Sequence, residues 1–234
     1  MRFYTNVQMI GNQFLVRGYD NGQHVMFREE YSPTLFVPSK KETKHKTLEG
    51  DFVEPVKPGL VRDCRDFIKK YQDIDGFNIY GNERFVYQYI SDKYPETEIK
   101  FDTSKIKLVT LDIEVAAEHG FPDTESCSEE ILTITIQDYN TKKITTWGVK
   151  PFNNTQSNVT YHECTSEHHL LSSFMGHWTN NYPEVITGWN IQFYDIPYIC
   201  GRLGKVLGEK QRRMFSPWGM VTYREMFIHG RKQI

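Results

Sequence analysis

"LVTLDIEVAAEHGFP", residues 108–122, joins an apolar run to two acids, Asp112 and Glu114, and then to a loop ending in Gly-Phe-Pro. Side chains alternate across a strand, so the two acids share one face, separated by about 6.5 Å of rise. Like charges placed this way repel each other. They persist on a wet surface, or where a divalent cation neutralises both. The preceding "IKLVTL" is apolar on both faces, which predicts a strand inside a sheet whose end opens into the crevice where α/β sheets bind ligands. Spacing alone leaves open whether the acids simply end the strand in solvent.

Working outward, "IKLVTLDIEV", "ILTITIQDY" and "KITTWGV" read as three successive strands rich in β-branched residues, with a loop over 116–130 before the middle one. "TSEHHLLSSFMGHWTNN" reads as a helix with Leu170, Leu171, Phe174 and Trp178 on one face and Thr165 or Ser166 as its cap. "EVITGWN" is a further buried strand, and "DIPYICGRLGKVLG" a helix with Asp195 at its start and Pro197 in its first turn. This order predicts an α/β sheet domain over residues 105–234.

Residues 1–104 read as a small α+β unit. "FYTNVQMIG", "QFLVRGY" and "HVMFREEY" are strands, the last two joined at Asn21-Gly22, and "TLFV" is another between Pro33 and Pro38. "SKKETKHKTLEGD" reads as an exposed hairpin or loop. A helix follows, with Val61, Cys64, Phe67, Ile68, Tyr71 and Ile74 on one stripe between Asp63 and Gly76. "ERFVYQYISDKY" is a second, ending before Pro95. The class is therefore α/β: an α+β N-terminal domain, then an α/β sheet domain.

Composition excludes several function classes. No stretch of about 18 apolar residues exists, so no membrane span is expected. "MRFYTNVQMIG" lacks the apolar region of a secretory signal. Cys64, Cys127, Cys164 and Cys200 are widely spaced with no CxxC, which argues against a thiolate zinc site and a disulfide framework. A formal charge of −2 does not decide for or against nucleic acid. His169 and His177 lie on the predicted helix beside His168 without a carboxylate partner, and read as solvated positions.

A second acidic stretch, "VITGWNIQFYDIPYI", leads from an apolar strand through a polar and aromatic loop to Asp195. Asp195 is read either as a plain helix cap or as a third carboxylate brought beside Asp112 and Glu114. Three acids from two strands suit a pair of hard cations about 3.5–4 Å apart, as in nucleases that align a hydroxide and stabilise a leaving oxygen.

"DIEV" with "GFP", followed by "TGWNIQFYDIPYI", resembles the first and second exonuclease motifs of family B DNA polymerases, most closely those of T-even-like bacteriophages. "FYTNVQMIG", "YSPTLFVPS" and "EIKFDTSKIK" extend the resemblance along the whole chain. It implies a partial RNase H-like, mixed-sheet 3′ to 5′ exonuclease domain that trims a frayed primer end in the cytoplasm of an infected bacterium. Asp112, Glu114 and Asp195 would then hold two Mg²⁺ or Mn²⁺ ions, with Asp112 touching both and Glu114 orienting the attacking water. Phe121 and Phe193 would stack on unpaired bases, and Asn190 would bond the substrate backbone or sugar. Loop packing is the alternative for each aromatic.

The family's third exonuclease motif, a tyrosine shortly before an aspartate, is missing, because no aspartate follows Asp195. No palm motif of the "DTDS" type is present either. The closing "WGMVTYREMFIHGRKQI" alternates like a strand with "HGRK" as a turn, and resembles the β-hairpin that parts the primer end in phage polymerases. The expectation is a shortened piece or a split-gene product, inactive alone, whose partner chain carries the polymerase. Competing readings are an RNA-binding autoregulatory module using Lys40, Lys41, Lys44 and Lys46, a noncatalytic docking subunit, and a self-contained nuclease.

Overall fold

The computed structural model describes residues 2–81, 83–95, 98–223, 226–228 and 231–233, in two units, residues 1–103 and 104–234. In the first, Asn21 (φ 49°) and Gly22 (φ 79°) take the left-handed backbone that a tight hairpin needs. They join β2 (Gln13–Asp20) to β3 (Gln23–Glu30), and β1 (Arg2–Ile10) pairs along the other edge of β2. Between β1 and β2 the approach is close at Gly18, where a Cβ would lie 2.3 Å from the Phe3 carbonyl oxygen.

A second small sheet, β4 (Leu35–Pro38), β5 (His45–Lys46) and β6 (Phe52–Val56), runs in the order β4-β6-β5. Of the two readings of 39–51, exposed hairpin or loop, β5 paired antiparallel with the start of β6 is the hairpin. Pro55 is compatible with β6 because β5 pairs only with Phe52 and Val53, leaving one side of the strand unpaired there. Lys46, one of the proposed RNA contacts, holds its Nζ 4.7 Å over the Phe52 ring.

Helix α1 (Val61–Tyr71) buries Val61 and Cys64 and packs Phe67 and Ile68 against Phe14, Val16 and Leu35. It stops before Ile74, which leaves the predicted stripe and is 49% exposed. Helix α2 (Phe85–Lys93) stacks Tyr89 on Phe14 at 4.6 Å, and the Tyr89 hydroxyl and Lys93 ammonium both donate to the Glu29 carboxylate.

The second unit is built on a five-stranded mixed sheet in the order β10-β9-β8-β7-β11. Its strands are β7 (Leu108–Val115), β8 (Ile131–Asp138), β9 (Ile144–Gly148), β10 (Val159–Glu163) and β11 (Val185–Thr187). β7, β8 and β9 are antiparallel neighbours, whereas β10 lies parallel to β9 and β11 parallel to β7. The predicted α/β class with a mixed sheet is what the structure shows.

Helices α3 (Glu167–Asn180) and α4 (Asp195–Val206) pack onto one sheet face, where Leu111, Ile113, Ile134, Ile136 and Trp147 meet Leu170, Phe174, Tyr198 and Leu203. His177 is half-buried with its ring 5.2 Å from that of Trp147, so it is a packing residue and not the solvated position expected. β10 and the short α5 (Glu209–Arg213) are elements the sequence pattern did not announce. Gly208, at φ 87°, separates α5 from the end of α4. β12 (Met226–Ile228) and β13 (Arg231–Gln233) pair antiparallel, while His229 and Gly230 of the expected turn lie outside the described residues. Among the described residues no helix is long and apolar enough to cross a membrane.

Burial alone would raise the Glu29 carboxyl, but the bonds from Lys93 and Tyr89 outweigh it and hold the group below the usual glutamate range. With the folded value below the unfolded one, the contact stabilises fully above the unfolded value and is lost as pH falls through the lowered one. Glu29→Gln is therefore expected to flatten the acid limb of stability, as read from urea midpoints across the acid range.

Candidate metal and nucleic-acid site

The site begins where a strand stops short. β11 pairs only with Leu108, Val109 and Thr110 of β7, so β7 continues past Thr110 without that neighbour. Gly188 turns against it: a Cβ there would sit 2.5 Å from the Leu111 carbonyl oxygen and 2.3 Å from Ile191 Cγ2. Asn190 then takes a left-handed conformation (φ 56°), which asparagine tolerates better than most residues. Its carbonyl accepts the N–H groups of Phe193 (3.0 Å) and Tyr194 (3.1 Å), and the chain enters α4 at Asp195.

Asp195 is 4% exposed, and its Oδ1 accepts the Ile113 N–H at 3.1 Å. The helix cap is Tyr194, without a side-chain bond, so Asp195 is not the plain cap considered as the alternative. Its carboxyl instead fills the β7 edge that β11 leaves open, at the residue between Asp112 and Glu114. Those two are exposed on the sheet face away from α3 and α4. Burial pushes the Asp195 carboxyl above the usual carboxylate range, and the charges of Asp112 and Glu114 add to that against the backbone bonds it accepts.

The donors are all carboxylate oxygens, the type hard divalent cations take. A cation here would also relieve the repulsion acting on Asp195, so the residues fit such an ion. The three acids are not drawn into one tight knot, however. Among the described residues, the trio of possible ligands that all lie within 4.8 Å of one another is Glu118, His119 and Glu129, in the 116–130 loop. His119 Nδ1 lies 2.8 Å from Glu129 Oε1, and that hydrogen bond raises the His119 pKa. Nothing in the local spacing pointed to this trio, because the loop must fold back to form it.

Phe121 projects from the same loop, 87% exposed, with its ring centroid 5.5 Å from that of Tyr194. Phe193 is half-buried and Asn190 exposed. Trp189 was not singled out from the sequence, yet it is 92% exposed beside Asn190. Its position in "TGWN", straight after a strand, was the available signal.

The base of the loop is held by α4. The Tyr198 hydroxyl donates to the Glu129 carbonyl at 2.9 Å, and Arg202 Nη1 to the carbonyls of Cys127 (3.0 Å) and Ser128 (3.2 Å). Arg202 also pairs with buried Glu167, whose Oε1 accepts Arg202 Nε at 2.7 Å and the Ile131 N–H at 2.8 Å. Gly201 leaves room for Cys127, whose Sγ would lie 2.3 Å from a Cβ there.

A mixed-sheet α/β domain, with helices on one face, Asp112 and Glu114 on the other and Asp195 at the strand edge between them, thus carries an aromatic loop whose base is bonded to α4. The chain belongs to DNA polymerase family B: the family's exonuclease-domain model matches residues 71–229. It is similar to the DNA-directed DNA polymerase of Enterobacteria phage T4, with 30% identity over 99% of this chain and 28% of that protein. The DNA-directed DNA polymerase of Escherichia phage RB69 is 28% identical over 92% of this chain and 27% of its own length. The chain therefore spans less than a third of the phage relatives it matches. In fold it resembles the family B DNA polymerase of Pyrobaculum calidifontis, with a TM-score of 0.60 and 16% identity over 98% of this chain and 35% of that one.

Removing Arg202 would leave Glu167 charged and buried. Arg202→Ala is expected to cost about 3–5 kcal/mol in urea denaturation. Gly188→Ala, which forces a Cβ against the β7 backbone, is expected to cost about 1–3 kcal/mol in the same measurement.

Proposed function

We propose that this chain is the N-terminal and proofreading portion of a phage-type family B replicative DNA polymerase, acting on the single-stranded 3′ end of a primer in the cytoplasm of an infected bacterium. The observation that carries the reading is the Asp195 carboxyl bonded to the Ile113 N–H between Asp112 and Glu114. In this reading the three carboxylates hold two Mg²⁺ or Mn²⁺ ions. When bound, such ions supply an activated water and stabilise the leaving 3′ oxygen.

The chain's own residues position the strand. Phe121, at the tip of its loop, offers a ring to an unpaired base, which suits any sequence because every base has a π-face. Phe193 lines the approach to Asp195, and Asn190 offers its exposed amide to the sugar or backbone. The β12–β13 ribbon is assigned to parting the primer end from the duplex. The domain boundary is placed near residue 104.

No aspartate follows Asp195 in these 234 residues, and in this reading polypeptide outside them supplies the carboxylate of the third exonuclease motif. The polypeptide alone should therefore digest single-stranded DNA feebly, and a chain carrying the third motif and polymerase domain should restore digestion. A gel assay with end-labelled primer and Mg²⁺ or Mn²⁺ measures this; vigorous Asp112-dependent digestion by the isolated chain would refute the need for a further carboxylate. Titration calorimetry with Mn²⁺ tests the metal assignment. Binding should weaken at least ten-fold in Asp112→Ala and Asp195→Ala, and undiminished binding in both would remove the acids from the site.

A further inference from the structure

The sheet face that carries the acids continues beyond them. Glu114 lies opposite Thr133, which lies opposite Gly148; Asp112 lies opposite Thr135, then Thr146, then Tyr161. Directly paired residues share a face, so these side chains stand on the acids' side of the sheet. Gly148 contributes no side chain, and the Tyr161 ring lies across the space this leaves, its hydroxyl donating to the Lys150 carbonyl. Asn154 Nδ2 donates to the Val159 carbonyl at 2.7 Å, and Asn154 Oδ1 accepts the Gln156 N–H at 2.9 Å. These bonds hold residues 150–158 as a wall above the strands.

Between wall and strands lies a cavity of about 390 Å³ lined by Thr133, Thr146, Lys150, Phe152, Gln156 and Tyr161 among others, none of them acidic. Phe152 is 59% exposed, its ring 5.4 Å from that of Tyr161. An open aromatic face, hydroxyls, an amide and one ammonium suit a nucleobase with its phosphate. The volume is within the usual range for small-ligand sites.

We infer that this cavity receives an unpaired base of the same single strand whose 3′ end the acids engage, upstream of that end. The inference rests on the proposed exonuclease reading. Three inter-strand steps of about 4.8 Å separate Asp112 from Tyr161, or about 14 Å. A stacked strand rises roughly 3.4 Å per nucleotide, so about four rises span that distance and the base in the cavity is about the fifth from the end, or one nearer the end where the strand is stretched. Phe152 stacks on that base, Lys150 meets its phosphate, and the threonines and Gln156 meet its edge. The cavity thereby lengthens the grip on a frayed strand without adding anything at the reacting end.

The test is photo-crosslinking of the full chain to a single-stranded oligo(dT) with Ca²⁺ in place of Mg²⁺. One 4-thiothymidine is placed in turn at each of the last six positions. The terminal position should crosslink near Phe121 or Trp189, and the fourth and fifth positions within residues 150–161. Phe152→Ala should weaken binding of an eight-nucleotide strand five-fold or more, with a two-nucleotide strand unaffected. Terminal crosslinks as expected, but none from any position to 150–161, would overturn the cavity assignment and leave the exonuclease reading standing. Terminal crosslinks elsewhere on the chain would instead overturn the exonuclease reading itself.

Discussion

The Ile113 N–H on the edge of β7 needs an acceptor, because β11 ends at Thr187 and a buried unpaired donor costs about 1–3 kcal/mol. Asp195 supplies one, and in doing so joins the sheet to the start of α4. A carboxyl held this way is buried next to two others, which raises its proton affinity and makes the cluster receptive to positive charge. The missing strand neighbour and the acidic site are therefore one structural fact. Had β11 run two residues further, backbone would have satisfied Ile113 and Asp195 would have had no place there.

From that start α4 proceeds along the core and touches the 116–130 loop three times, through Tyr198, Gly201 and Arg202. Lys205 adds a contact to the Ser126 carbonyl one turn on. The core that carries the helix is assembled on one side of the sheet only. The other side stays available because its threonines satisfy one another, as Thr135 and Thr146 do at 3.0 Å, instead of demanding a covering layer.

Much of this architecture was legible in the residues. Runs of Val, Ile and Thr marked β7, β8 and β9, and alternation placed Asp112 and Glu114 on one face. The spacing of Leu170, Phe174 and Trp178 marked α3. What escaped were elements too short or too polar to leave a periodic trace: β5 with two residues, β6 interrupted by Pro55, and β10 reading "VTYHE". The stripe through Ile74 misled because α1 ends one turn before it. In the site, motif order flagged the acids, yet the Arg202–Glu167 pair and the Glu118, His119 and Glu129 trio join residues whose proximity only the fold creates. Trp189 was overlooked because an aromatic after a strand most often packs inward, and this one does not.

The attachment of the loop to α4 has a mechanical meaning. Asp195 and the base of the Phe121 loop are mounted on one rigid rod, so thermal displacement of that rod carries acid and aromatic together. Small motions preserve the distance between the place where a base is gripped and the place where charge is concentrated. Whatever displaces the rod therefore shifts Asp195 and the base of the Phe121 loop together, while Asp112 and Glu114 stay with β7.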